Sequence, residues 1–324
     1  MLIPTEELMG KYKLFWQYPV ITEKTFYLQN IGCKGYIGFP WATIIDKNYH
    51  PNIIHKILSP IMDRRKSYYT CCQHIHFKRL LSLFKGLNIN VIYTPHKTVQ
   101  DSCLVGVKLK PCPLYAATIE DPQRNHIYAA NKESILTRER PYLYSFQGAY
   151  NPNCYISTIR QTILEAKHPD NCKVQKTSGW HYEKMVYSKQ QNNNGELNES
   201  TEDKQRTDDY NQLLLDSRYS LCPSGSGPNS IRLWEALASG SIPIILADTL
   251  DLQEHDLWNE AVLRVAESDY SNIPSILHNI TPEEETKMRQ NCQIMYETFK
   301  DNYILASHPH IHSKIIIHYC CNSY

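Results

Sequence analysis

The feature that most constrains this chain is a single run, Tyr219 to Ala247. Tyr219 to Cys222 predicts a strand, Ser224 to Ser230 a glycine-containing turn, and Ser230 to Ala238 a helix. Gly240 is then the stop, and Ile242 to Ala247 predicts a second strand. Gly225 and Gly227 let the backbone approach a ligand closely and adopt positive φ at little cost. A helix starting near Asn229 or Ser230 turns its free N–H groups and positive dipole end toward that turn, which suits a diphosphate. Arg232 and Glu235, three residues apart, share a helix face. The cation can neutralise phosphate and the carboxylate can accept hydrogen bonds from ribose hydroxyls. The same spacing also fits a packing turn followed by a surface ion pair.

The rest of the chain extends the α/β pattern. Tyr36 to Ile45 reads as strand and turn, with Asp46 after it. Ile75 to Phe84 has apolar residues at helical spacing, and Asn90 to Thr94 reads as a buried strand ending at Pro95-His96. A second series begins near Arg140: strand Tyr142 to Phe146, helix Ser157 to Ala166, a strand ending at Met185 to Tyr187, and helix Asp209 to Leu215. Between them, Lys189 to Thr207 is polar with a single Leu and predicts a mobile surface insertion. Thr281-Pro282-Glu283-Glu284 has the form of a helix start. Met288, Cys292, Met295 and Phe299 then line one face of a helix long enough to cross between domains. The expected division is 1–135, 136–280 and a crossing helix with tail, 281–324, whose strand-like stretch is Lys314 to Cys320.

Composition narrows the function. With 34 basic against 33 acidic side chains, nothing in the balance suggests a nucleic-acid surface, so an anion site must be built locally. Eleven cysteines lack framework spacing and read as reduced thiols. No stretch reaches the ~20 apolar residues of a membrane helix, and Met1 to Lys13 carries Glu6, Glu7, Lys11 and Lys13 rather than a signal-peptide core. The expectation is a cytoplasmic protein with no integral membrane segment, with room for peripheral association where an acceptor sits in a membrane.

The run Leu221 to Leu246 resembles the signature of the exostosin family, glycosyltransferase family 47. Arg140-Pro141-Tyr142-Leu143-Tyr144-Ser145-Phe146-Gln147-Gly148 resembles the strand that opens the family's C-terminal half. Arg160, Tyr210 and Leu214 to Arg218 also fall where its pattern places them. Looser similarity lies at Gly38 to Asp46 and Gln73-His74-Ile75. The resemblance implies an α/β chain of two Rossmann-like domains (GT-B type) with the active site in the inter-domain cleft. It further implies inverting transfer from a nucleotide-sugar, usually a UDP-sugar. Donor contacts are then expected at Arg140, Gly148, Arg218, Ser224, Gly225, Ser226, Gly227, Pro228, Asn229, Ser230, Arg232 and Glu235. Animal members are usually anchored in the Golgi and no anchor is expected in this chain, so it looks more like the compact bacterial or viral members. The acceptor is then a glycan, polysaccharide or glycolipid hydroxyl.

An inverting transfer needs a base, and the loops after strands of the N-terminal domain are where to seek it. Asp46 and His96 follow strand-like runs, and His74 sits at a helix start; each also fits an ordinary capping or loop role. The helix N-terminus and Arg232 can stabilise a departing diphosphate, and no strong Asp-x-Asp motif is present, so no metal and no cofactor are expected. Cys71-Cys72-Gln73-His74-Ile75-His76 and His308-Pro309-His310-Ile311-His312 have no matching second half at zinc spacing. One rival is a catalytically silent sugar-nucleotide or glycan-binding protein of the same fold. A sugar-nucleotide epimerase would need a Gly-x-Gly-x-x-Gly after an early strand, and none is found.

Overall fold

The computed structural model describes residues 6–115, 119, 125–179, 190 and 200–307, the stretch 301–307 as backbone only. The expected strand end at 185–187, the histidine triplet at 308–312 and the strand-like tail at 314–320 lie outside the described residues. So do 189 and 191–199 of the polar insertion.

Two five-stranded sheets organise the chain. The first collects β1 (Tyr36–Ile37), β2 (Tyr68–Cys71), β3 (Ile89–Thr94), β4 (Cys103–Leu104) and β5 (Val107–Pro111). Its order is β1-β2-β3-β5-β4, parallel except for the β4–β5 edge. The second collects β6 (Tyr142–Gly148), β7 (Lys173–Lys176), β8 (Ser217–Pro223), β9 (Ile242–Leu246) and β10 (Leu263–Arg264) in the order β10-β9-β8-β6-β7, parallel throughout. Every residue of β9 is buried. Strands so covered on both faces belong to a doubly wound sheet, which explains their continuous apolar runs. The arrangement is two Rossmann-like domains, as expected of the GT-B type.

The helices of the first half are α1 (Glu6–Lys11), α2 (Thr22–Gln29), α3 (Trp41–Asp46), α4 (Pro51–Leu58) and α5 (Leu81–Gly86). Those of the second are α6 (His126–Asn131), α7 (Ile159–Glu165), α8 (Thr201–Asp216), α9 (Ile231–Ser239), α10 (Trp258–Ala261), α11 (Ile273–His278) and α12 (Pro282–Ser307). Two sequence expectations need correction. Trp41 to Ile45 is helix rather than strand or turn, because Trp41, Ala42, Ile44 and Ile45 all bury their side chains against the first core. Residues 200–207 are not a mobile insertion. Ser200 and Asp203 form a reciprocal capping box that starts α8 eight residues before Asp209.

α12 starts as read, with Thr281 Oγ1 accepting from the Glu284 amide at 3.2 Å and the Glu284 carboxylate accepting from the Thr281 amide at 2.8 Å. Its Phe299 packs on Trp234 and Trp258, while the backbone carbonyls of Phe299 and Lys300 accept from Tyr115 and Gln29 of the first half. Gly240 takes φ +67° and ends α9 as expected. A second seam joins the halves. Val99 N–H donates to Thr249 O at 3.0 Å, Asp251 N–H to Lys97 O at 3.2 Å, and the Lys97 ammonium pairs with the Asp251 carboxylate.

Candidate active site in the inter-domain cleft

The loop after β8 lies at the C-terminal edge of the second sheet and faces the C-terminal edge of the first. Its backbone is folded on itself, Gly225 N–H donating to Gly227 O at 2.9 Å, and it is tied to β9 by Ser224 N–H to Leu246 O. Neither Gly225 nor Gly227 has positive φ, so the expected conformational reason for these glycines does not hold. Close approach is the reason. A Cβ on Gly225 would come within 2.9 Å of the Arg160 guanidinium, and one on Gly227 within 2.7 Å of His96 Nδ1 and 2.9 Å of Ile75. The loop is thus held between an arginine of its own domain and a histidine of the other.

α9 follows at once. Ser230, its N-cap, makes no capping hydrogen bond through its side chain, and the first turn points its dipole at the loop. Asn229 closes the cleft from this side, donating from Nδ2 to Pro95 O at 3.0 Å and accepting at Oδ1 from Ser230 N–H at 2.8 Å. Pro228 is buried and Ser226 half-buried in the same loop.

Two guanidinium groups converge here. Arg160 donates from Nε to Ser224 O at 2.7 Å and lies 4.9 Å over the Tyr155 ring. Arg232 donates to Gln147 O and lies 4.6 Å over the Phe146 ring, which Arg160 also approaches at 5.7 Å. Among the described residues neither makes an ion pair with a carboxylate. One buried nitrogen of Arg232, Nη1, has no hydrogen-bond partner. Burial, and then the Arg232 charge, pull Arg160 down to about 10. Like charges withdrawn from water, one half-buried and one buried, are costly without a counter-ion unless an anion completes them.

Glu235 has no exposed surface and accepts from the Tyr210 hydroxyl at 2.6 Å. Its carboxylate is thus held against Tyr210 of α8, away from solvent. The half-exposed carboxylate at the loop is Glu267, which accepts from Ser224 Oγ at 3.2 Å while Ser157 Oγ lies 3.1 Å from the same hydroxyl. Gly148 ends β6 and sits against Phe146 and Arg160, within the site. Arg140 and Arg218 do not join it. They stand at the N-terminal ends of β6 and β8, on the opposite edge of the sheet. Arg140 donates to the carbonyls of Ile135, Leu214, Ser217 and Ser239, gathering helix C-termini, and is pushed down to about 8 chiefly by burial. Arg218 pairs with Glu285 of α12.

The other wall comes from the first domain, where the three candidate bases do lie on loops or helix ends beyond β1, β2 and β3. His74 Nε2 is 2.8 Å from Asp46 Oδ1, and His74 Nδ1 accepts from His76 N–H at 2.9 Å. That fixes the tautomer with the proton on Nε2 and leaves neither nitrogen with a spare lone pair. Asp46 accepts from Gln17 as well. His96 differs: it is buried, and its Nδ1 against Gly227 has no hydrogen-bond partner. Burial first, then the neighbouring His74, lowers His96 to about 3.

Sequence reasoning left out Glu23. It is 2% exposed, and its carboxylate accepts from the Ala42 and Gln73 amides, each at 3.0 Å, clamping the loops beyond β1 and β2. Burial raises it to about 8. A lone Glu in a helical stretch gives no sequence signal for this. Arg160 had one, its place in the family resemblance; Glu267 lies beyond Leu246, where the motif read from the sequence ends. Among the described residues no three His, Cys, Asp or Glu side chains group as a metal site. No described helix is long and apolar enough to cross a membrane.

Comparison with known proteins gives the geometry a context. An Exostosin-1 homolog of Caenorhabditis elegans is 26% identical over 185 residues, covering 54% of this chain and 46% of that protein. A probable glucuronosyltransferase of Oryza sativa subsp. japonica is 29% identical over 144 residues, 44% of this chain and 32% of the relative. The chain thus spans less than half the length of these relatives. Among solved structures, Anabaena Alr3699/HepE in complex with UDP and glucose is similar at TM-score 0.43 and 11% identity, covering 86% of this chain and 76% of that one. The Exostosin GT47 domain matches residues 111–280, just over half of the chain. That span contains β6 to β10, the glycine loop and both arginines, and by it the chain belongs to the exostosin GT47 family.

Proposed function

We propose that this chain is an inverting, metal-independent glycosyltransferase. It takes a sugar from a nucleotide-sugar, with UDP-sugars the first class to test, and passes it to a hydroxyl of a glycan, polysaccharide or glycolipid. The observation that carries the reading is the pair of half-buried Arg160 and buried Arg232 at a glycine loop and an uncapped helix N-terminus, with Nη1 of Arg232 unpartnered among the described residues. A diphosphate supplies the missing anion, and the same groups stabilise it as it departs, which is the work a divalent metal does elsewhere. Ribose hydroxyls are then within the reach of Glu267, while Glu235 and Tyr210 fix the floor under Arg232.

Within the first domain, His96 is assigned the proton. Its free Nδ1 faces the glycine loop, whereas both nitrogens of His74 are engaged. An imidazole near 3 is a weak base, but a bound diphosphate places negative charge beside it and raises it toward the working range. Asp46 and His74 hold each other and shape the same wall.

The test is sugar transfer, or slow donor hydrolysis, from a panel of nucleotide-sugars in the presence of EDTA. Activity with inverted product configuration, lost in His96→Gln while the nucleotide still binds, supports the reading. Nucleotide binding with no turnover under any condition favours the silent binding protein instead.

A further inference from the structure

Outside the cleft loops, the N-terminal half holds a cavity of about 330 Å³ lined by Glu6, Met9, Trp16 and Tyr27. The Trp16 and Tyr27 rings are stacked at 5.2 Å and 24°, and both are half-buried, so one edge of the stack is open. A flat apolar surface beside a carboxylate is suited to a ligand with an apolar face and polar rim. The volume lies at the small end of ligand pockets, roughly 300–1,000 Å³, enough for a single ring rather than a nucleotide.

The stack is tied to the catalytic wall on both sides. Trp16 precedes Gln17, which donates to Asp46. Tyr27 stands one helical turn after Glu23, the residue that clamps the Ala42 and Gln73 amides. Its ring lies over Gly38, the residue after β1, where any Cβ would overlap it. The cavity therefore opens beside the C-terminal edge of β1, the edge that also leads to Asp46.

We propose that the Trp16–Tyr27 shelf is a subsite for one uncharged pyranose ring of the acceptor, whose C–H face lies on the aromatic rings while Glu6 accepts from its hydroxyls. This rests on the transferase reading for the word acceptor, and on the cavity alone for the sugar. Among the described residues Glu6 is the one charged residue in its lining, so a uronate ring is disfavoured by like charge.

The test uses the full chain labelled with nitrogen-15 and follows the indole N–H signals of its five tryptophans. The signal missing from Trp16→Phe identifies Trp16. Methyl α- and β-pyranosides of glucose, galactose, mannose and N-acetylglucosamine are titrated, with methyl glucuronide as the acidic comparison. Saturable movement of the Trp16 signal with at least one neutral pyranoside is expected. The glucuronide should bind at least about tenfold more weakly, and Glu6→Gln should narrow that gap. No movement with any neutral ring, or equal binding of the glucuronide, overturns the proposal. UDP added to the same sample separates the two readings. UDP binding without sugar binding removes the shelf alone; sugar binding without nucleotide binding keeps the shelf and removes the transferase.

Discussion

Beyond β1, β2 and β3 of the first sheet stand Asp46, His74 and His96, with Glu23 behind them. At the corresponding edge of the second sheet stand the glycine loop, Arg160 and Arg232. The two sheets share strand number and a mainly parallel build, though not strand order, and their edges carry opposite chemistry. In the first, acids and imidazoles satisfy one another and the backbone: Asp46 with His74 and Gln17, Glu23 with two amides. His96 is the one left with an idle nitrogen. In the second, two cations share the Phe146 ring, and among the described residues no acid pairs with either. A self-satisfied edge can tune and move a proton; an edge short of negative charge is prepared for an anion from outside. The two edges meet at Gly227 and His96, where the proposed transfer would take place.

The contrast can be broken first on its cationic side. Replacing both Arg160 and Arg232 by Ala should weaken UDP binding about a thousandfold, ~4 kcal/mol, in a calorimetric titration. Lys at position 232 should recover little, because a point ammonium cannot reproduce the fork lying over Phe146. On the other edge, His96→Gln should lower kcat about a hundredfold, within the range of general base catalysis, and change nucleotide affinity by no more than a few-fold. A loss of affinity matching the loss of kcat would return His96 to a packing role. The meeting point is tested by Gly227→Ala. The added methyl meets His96 and Ile75, so about 2 kcal/mol of stability should go in denaturant unfolding, with weaker nucleotide binding.

Glu23 sharpens the comparison through pH. Its folded pKa, about 8, is raised above the unfolded value of 4.5. The stability linked to its neutral form is fully present below 4.5 and lost as pH rises through 8. The melting temperature should therefore fall by several degrees between pH 5 and 9, and Glu23→Gln should flatten that slope. His96 works in the opposite direction. Depressed from 6.5 to about 3, it contributes stability above 6.5 that is lost as pH falls toward 3. The smallest effect belongs to the seam: Lys97→Ala, whose partner Asp251 is partly exposed, should cost less than about 1 kcal/mol.

Much of the second domain was legible because its signals are local. A continuous apolar β9, the positive φ at Gly240 and the Thr281–Glu284 cap follow from neighbouring residues alone. The misreadings have the same origin. Trp41 to Ile45 looks like a strand because it is buried on all sides, and the polar composition of 200–207 hid the Ser200–Asp203 box. In the site, the loop and Arg232 were legible from turn and helix spacing. Arg140 and Arg218 lie at the far end of their strands, a distinction that family resemblance along the sequence does not carry. Glu23, Glu267 and the free nitrogen of His96 depend on contacts between segments distant in the chain, which no local pattern encodes.

The most direct test of the central claim is calorimetric titration of uridine, UMP and UDP in EDTA, on the native chain and on the chain lacking both guanidinium groups. The account predicts that UDP binds the native chain at least about a hundredfold more tightly than uridine, and that this increment disappears with Arg160 and Arg232. Equal binding of uridine and UDP, no binding of UDP, or UDP binding that requires a divalent ion would contradict it.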